Sequence, residues 1–268
     1  KNMKNFINYI FFLIRKNTIK IEKRFDLSLK MFSLSRTRFR KLELEKTKHI
    51  DELSNSIRLG NYYGIDPQKK VNIISGGIGT NIDFEIDCLK KINIRKLIMV
   101  DPTSEGENTS KKITNKVVSY IKKPIFNESK KIKIYLPPDK NNTNISIDNH
   151  YASSKYLTLY SITIDEIMKN NEMEKLDFLK LDIEGVADIV IKDLIEKNII
   201  PDQIAFELEK NCCVFIQSSY YKRIEKFLDF LNKYYDIYSS TALKYGFRMD
   251  LLAIKKNYQK SRDVLDKK

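Results

Sequence analysis

Only eight glycines occur in 268 residues, yet Gly76, Gly77 and Gly79 fall within four positions, after the apolar run Val71 to Ser75 and before an amphipathic stretch opening at Asn81. A glycine-rich turn leading into a helix start lets backbone approach a ligand, and it presents free N–H groups and the positive end of the helix dipole. That suits a nucleotide-like ligand; the plainer alternative is a tight turn that binds nothing. The dinucleotide pattern G-x-G-x-x-G needs a third glycine at position 82, which is Ile82, and no Gly-Lys-Ser/Thr follows for a P-loop. What fits is a nucleoside without a pyrophosphate. Twenty-two residues beyond Gly79, the run MVDPT places Asp101 and Pro102 at the carboxyl edge of the next predicted strand. There a carboxylate can accept ribose hydroxyls, in the crevice where open α/β sheets bind ligands. Asp-Pro is also a common turn former.

The run LDFLKLDIEG, residues 176–185, carries the densest chemistry. On a strand, Phe178, Lys180, Asp182 and Glu184 share one face, and Leu179, Leu181 and Ile183 the other. Burying Lys180 unpaired is costly, so we expect it to pair with Asp182 or with Glu207 of the following strand. Asp182 and Glu184 stand where the strand leaves the sheet, beside the crevice marked by Gly77 and Asp101. Asp182, Glu184 and Lys180 are the candidate catalytic residues. Two carboxylates with a lysine can shift one another's pKa and provide a base. Asp165, in the first turn of a predicted helix, is read as structural, because the helix dipole favours an acid there. His150 and Tyr151 lie in a polar segment where solvation accounts for them. The only histidines are His49 and His150, and no Cys or His spacing suits a metal site, so no metal residues are assigned.

These residues need elements to hold them. Strands are expected near 71–75, 96–101, 131–136, 176–182 and 203–208, with helices near 81–92, 110–122 and 186–197 among them. Alternating strands and helices imply a mostly parallel sheet covered on both faces. After a further helix, about 220–235, the runs 236–239 and 248–254 read as a closing antiparallel hairpin. The Asn- and Lys-rich stretch 137–154 is a polar loop or insertion. Between residues 37 and 57 apolar residues recur at helical intervals, which predicts one helix ending before Gly60. The boundary around Gly60, Gly64 and Pro67 divides a basic helical extension, 1–65, from the main domain, 66–268.

At 42% hydrophobic and 31% charged residues, the chain is expected to fold as a soluble globule. Its net charge of +14 is uneven: residues 1–50 carry +10, leaving +4 for the rest. A nucleic-acid partner is therefore disfavoured. The arm's apolar stretch, Phe6 to Ile14, is half the length of a bilayer span and lacks the features of a signal peptide. Its stripe of Phe6, Tyr9, Ile10 and Leu13 suits either an anionic membrane surface or packing on the main domain. Three cysteines, Cys88, Cys212 and Cys213, cannot build a disulfide framework, which points to a reducing, cytoplasmic location with membrane association left open.

The order VNIISGGIGTNIDFE, MVDPT, KIYLPP, SITIDEIM, LDFLKLDIEGVADIVIKDL and PDQIAFELE resembles the FkbM family of methyltransferases over about residues 68–255. The resemblance implies a Rossmann-like α/β fold: a seven-stranded sheet, mostly parallel, with an antiparallel last strand. It implies S-adenosylmethionine as cofactor and O-methylation of a hydroxyl on a small-molecule or glycan acceptor. By position, Ser75, Gly76, Gly77, Gly79, Asn81, Asp101 and Pro102 would surround the donor, with Asp101 on the ribose, while Asp182 and Glu184 face the methyl and acceptor. Ser75 stands where an acid often precedes the glycines; Asp83 or Glu85 could compensate. The rival readings are a non-catalytic interaction module of the same fold at a membrane and a nucleic-acid methyltransferase.

Overall fold

The computed structural model describes residues 40–136, 147, 154–209, 217–240 and 248–258. The basic arm up to residue 39, His150, Tyr151 and the Cys212–Cys213 pair lie outside these residues. In chain order the strands are β1 (Lys48–His49), β2 (Ser56–Leu59), β3 (Tyr62–Ile65), β4 (Val71–Gly76), β5 (Ile94–Val100), β6 (Val118–Ile121), β7 (Lys131–Tyr135), β8 (Tyr156–Tyr160), β9 (Phe178–Leu181), β10 (Gln203–Glu209), β11 (Tyr235–Ser239) and β12 (Arg248–Lys255). The helices are α1 (40–46), α2 (Asp83–Lys91), α3 (Ser104–Ser110), α4 (Ile164–Asn170), α5 (Ala187–Glu196) and α6 (Gln217–Leu231).

The central sheet has the order β1-β11-β12-β10-β9-β4-β5-β6. Strands β6, β5, β4, β9 and β10 run parallel, and β12 lies antiparallel between β10 and β11. This is the expected seven-stranded arrangement, with two-residue β1 added at the edge beside β11. Side-chain alternation divides the core. Ile74, Ile98, Leu179 and Ile204 stand in register on one face and pack with α4, α5 and α6; Ile73, Leu97, Phe178 and Ala205 face α2 and the β2–β3 hairpin. The central strands are buried on both sides, which explains their continuous apolar runs.

Three local expectations are corrected. The helix predicted over 37–57 ends at residue 46, where the Thr47 hydroxyl donates to the Glu43 carbonyl at 2.7 Å; the chain then runs into β1 and the β2–β3 hairpin. The hairpin is tied to the sheet through Gln203, whose side chain accepts from Ile65 N at 2.6 Å and donates to Ile65 O at 2.7 Å. Residues 110–122 do not form one helix: α3 stops at Ser110, and VSYI becomes β6, the outer sheet strand. The apolar residues Ile113, Val117 and Ile121 have helical spacing, but the β-branched and aromatic content of the run suits a strand. Finally, β7 is outside the central sheet, paired instead with β8 in a separate antiparallel ribbon. That ribbon leaves and rejoins the fold at a closed neck, where Ile125 bridges Ile162 and Phe126 N donates to Ile162 O.

Below the sheet, Lys69 lies 3.0 Å from both Asp177 and Asp202, and Lys175 lies 2.6 Å from Asp202. Burial alone would raise the Asp177 pKa, but the Asn72 N–H and the Lys69 ammonium outweigh it and hold the carboxyl below its ordinary value. A depressed folded-state pKa gives stability that is present above the unfolded value, about pH 4, and lost as pH falls through the folded one. We expect Asp177→Asn to cost about 1–2 kcal/mol at neutral pH, a modest figure because both lysines are half exposed. The gap from wild type should narrow below about pH 4. Urea unfolding at neutral and acid pH checks both.

Candidate active site

Strand β4 ends in the glycine turn, and the turn is fastened from two sides. Gly77 N donates to Val100 O at 2.9 Å, and Asp182 N donates to Gly76 O at 3.0 Å. Gly77 has φ +75°, and a Cβ there would stand 1.9 Å from the Asp182 carbonyl oxygen, so only glycine allows β9 to approach so closely. Gly79, at φ +50°, has nothing within 4 Å of the position a Cβ would take, and it lines the cleft described below.

Lys180 reaches under this turn. Its Nζ donates to Gly77 O at 2.6 Å and Gly76 O at 3.3 Å, and lies 3.8 Å from Asp182 Oδ2. Of the two expected partners, Asp182 is the one it meets; Glu207 pairs instead with Arg248 at 3.3 Å. Lys180 is buried and does not line the cleft, so the structure places it as a latch between β9 and the glycine turn.

Asp101 closes the other side. Its Oδ2 accepts from Gly79 N at 2.9 Å, and its Oδ1 accepts from Thr103 N at 2.8 Å and from the Thr103 hydroxyl. Three of the carboxylate's roughly four acceptor sites are thus occupied by the chain, leaving about one for a ligand. The Tyr120 hydroxyl donates to the Asp101 carbonyl at 2.6 Å, and burial, reinforced by the Asp101 charge, pushes the Tyr120 pKa up.

These residues open onto one cleft of about 230 Å³. Gly77, Gly79, Asn81, Asp101, Pro102, Asp182 and Glu184 line it, together with an apolar wall that includes Pro124, Ile125, Ile134 and Val186. Seven expected site residues therefore meet in one place. Ser75 and Gly76 do not line it: Ser75 is buried beneath the turn, where its hydroxyl donates to Glu85 of α2. Of the two acids considered as compensation, Glu85 is the one that reaches Ser75, while Asp83 is exposed. Asp165 pairs with Lys197 at 3.0 Å, away from the cleft.

Sequence reasoning missed three contributors. Thr103 follows the Asp-Pro turn, and its side-chain bond to Gly106 N, an N-cap signature, could have marked it. The apolar wall from the β6–β7 connection was hidden by the misassigned helix. Tyr62 comes from the hairpin ahead of the glycine turn; its buried hydroxyl faces the Asp182 and Glu207 carboxylates, and burial first, then Asp182, raises its pKa well above the ordinary value. Nothing in its local sequence announces that position.

Residues 59–249 match the family model of the Methyltransferase FkbM domain. The chain belongs to the FkbM family. Among solved structures, the FkbM methyltransferase from Methylobacillus flagellatus KT is similar at 13% identity and a TM-score of 0.47, covering 84% of this chain. The chain spans 58% of that protein's length. The plantazolicin methyltransferase BpumL, solved with SAH and a triazolic desmethylPZN analog, is 11% identical with a TM-score of 0.37, covering 95% of this chain and 97% of its own. No curated protein matches the chain.

Proposed function

We propose that this FkbM-family protein methylates a hydroxyl oxygen of a small-molecule or glycan acceptor, with Asp182 as the base. The observation that carries the reading is the single cleft joining the glycine turn and Asp101 to Asp182 and Glu184. The residues fit the donor: a nucleoside can lie against the bare backbone of Gly77 and Gly79, and Asp101 and Thr103 offer polar atoms for its ribose. When bound, S-adenosylmethionine supplies an electrophilic methyl on sulfonium. The chain's share of the work is positioning and water exclusion, which can account for much of such a rate enhancement. The apolar wall excludes water, and the half-exposed Asp182 carboxylate takes the hydroxyl proton as the carbon–oxygen bond forms and the carbon–sulfur bond breaks. Glu184 orients the acceptor from the same cleft.

Titration calorimetry with S-adenosylmethionine should show binding, and incubation with labelled donor and fractionated glycans or small molecules should label one fraction. Asp101→Ala should weaken donor binding about 10- to 100-fold, the worth of a charge-assisted hydrogen bond. Donor binding unchanged in that variant would sink the assigned site.

A further inference from the structure

The β7–β8 ribbon has two unlike faces. Ile132 and Ile134 turn inward, and Ile134 is part of the cleft wall. On the other side Lys131 stands opposite Tyr160, Lys133 opposite Thr158, and Tyr135 opposite Tyr156. Tyr156 is 46% and Tyr160 60% exposed, two of the five large hydrophobic side chains most exposed among the described residues. The ribbon strands contain no carboxylate, and among the described residues neither Lys131 nor Lys133 pairs with one. Lys130, beside the ribbon, is neutralised by Glu128 at 2.7 Å.

The arrangement of these groups distinguishes possible occupants. Single-stranded nucleic acid and sugar rings bind by stacking on open aromatic faces. Here Lys133 Nζ lies 4.5 Å from the Tyr156 ring centroid and Lys131 Nζ 5.3 Å from that of Tyr160, while Tyr135 meets Tyr156 edge-on at 6.0 Å. Ammonium groups lie over the rings, so the face offers cations at its surface with amphipathic rings beneath them. That pattern suits a layer of phosphates above apolar chains, where tyrosine sits at the boundary and lysine meets the headgroups. We infer that the outward face of the β7–β8 ribbon docks the protein on an anionic phospholipid surface. The inference is independent of the transfer reaction. Docking there would set the cleft one strand's thickness from the headgroups.

The test uses the full chain without donor, sedimented with phosphatidylcholine vesicles that contain or lack phosphatidylserine. The wild type should pellet only with the phosphatidylserine vesicles and be released by salt. Each lysine near such a surface contributes roughly five-fold in partitioning, so K131Q/K133Q should lose about 25-fold and K131E/K133E more than that. Y156S/Y160S should lose several-fold without changing the salt dependence. Thermal unfolding midpoints matching wild type show that the variants are folded. Three results would overturn the inference: no wild-type binding, binding that the ribbon variants leave unchanged, or a single-stranded oligonucleotide that binds the ribbon and displaces the vesicles. Because no methyl transfer is measured, failure here leaves the enzymatic reading untouched, and the reverse.

Discussion

Gly77→Ala is expected to destabilise the protein by about 3–5 kcal/mol, a cost that neighbouring Gly79→Ala should not share. The new methyl at position 77 would stand 1.9 Å from the Asp182 carbonyl oxygen, which is backbone and cannot rotate away. Relief would require β9 and the turn to part, breaking the Asp182 N to Gly76 O bond and the Lys180 latch. At Gly79 only the positive φ counts, about 1 kcal/mol, because the added methyl meets open space. Gly79 lines the cleft, so Gly79→Ala should weaken S-adenosylmethionine binding while hardly altering the urea midpoint. Equal stability losses at the two positions would contradict this account of the turn.

Asp182→Asn is expected to reduce turnover by about 10²- to 10⁴-fold, the usual contribution of a positioned base, with donor affinity nearly unchanged. Affinity should survive because the backbone N–H of position 182, which the substitution keeps, holds the glycine turn through Gly76 O. The side chain lines the cleft and, in the proposed reaction, is the group that meets the acceptor. Single-turnover transfer of labelled methyl, with calorimetry alongside, separates the two quantities. Glu184→Gln should act differently, raising the KM for acceptor more than it lowers kcat. Full turnover in Asp182→Asn would take the proton acceptor away from this residue.

The parts of the fold that could be read in advance are those where one physical requirement dominates. Strands β4, β5, β9 and β10 carry apolar runs that are buried on both faces, and Gly77, Asp101 and Asp182 follow directly at the carboxyl ends of β4, β5 and β9, where they line the cleft. Positions served by two compatible patterns were misread. Val117 to Ile121 has helical spacing but strand composition, and pairing with β5 settles it. The KIKIY run of β7 alternates as a sheet strand should, and nothing local reveals that its partner is β8, beyond a long polar segment. Lys180 shows the same limit at the level of a side chain. Its charge in mid-strand required partners, and Asp182 was foreseeable from spacing, but the two carbonyl oxygens it binds belong to a turn a hundred residues away. Tyr62 is brought to the site by the tertiary fold alone.

The pinched neck at Ile125 and Ile162 has an evolutionary implication. Since the chain goes out and comes back at adjacent points, whatever lies between can lengthen, shorten or be exchanged wholesale while the catalytic frame keeps its shape. Diversification within the lineage could then proceed by swapping this cassette, and a chimera grafted at those two isoleucines should inherit the donor chemistry of one parent and the acceptor preference of the other.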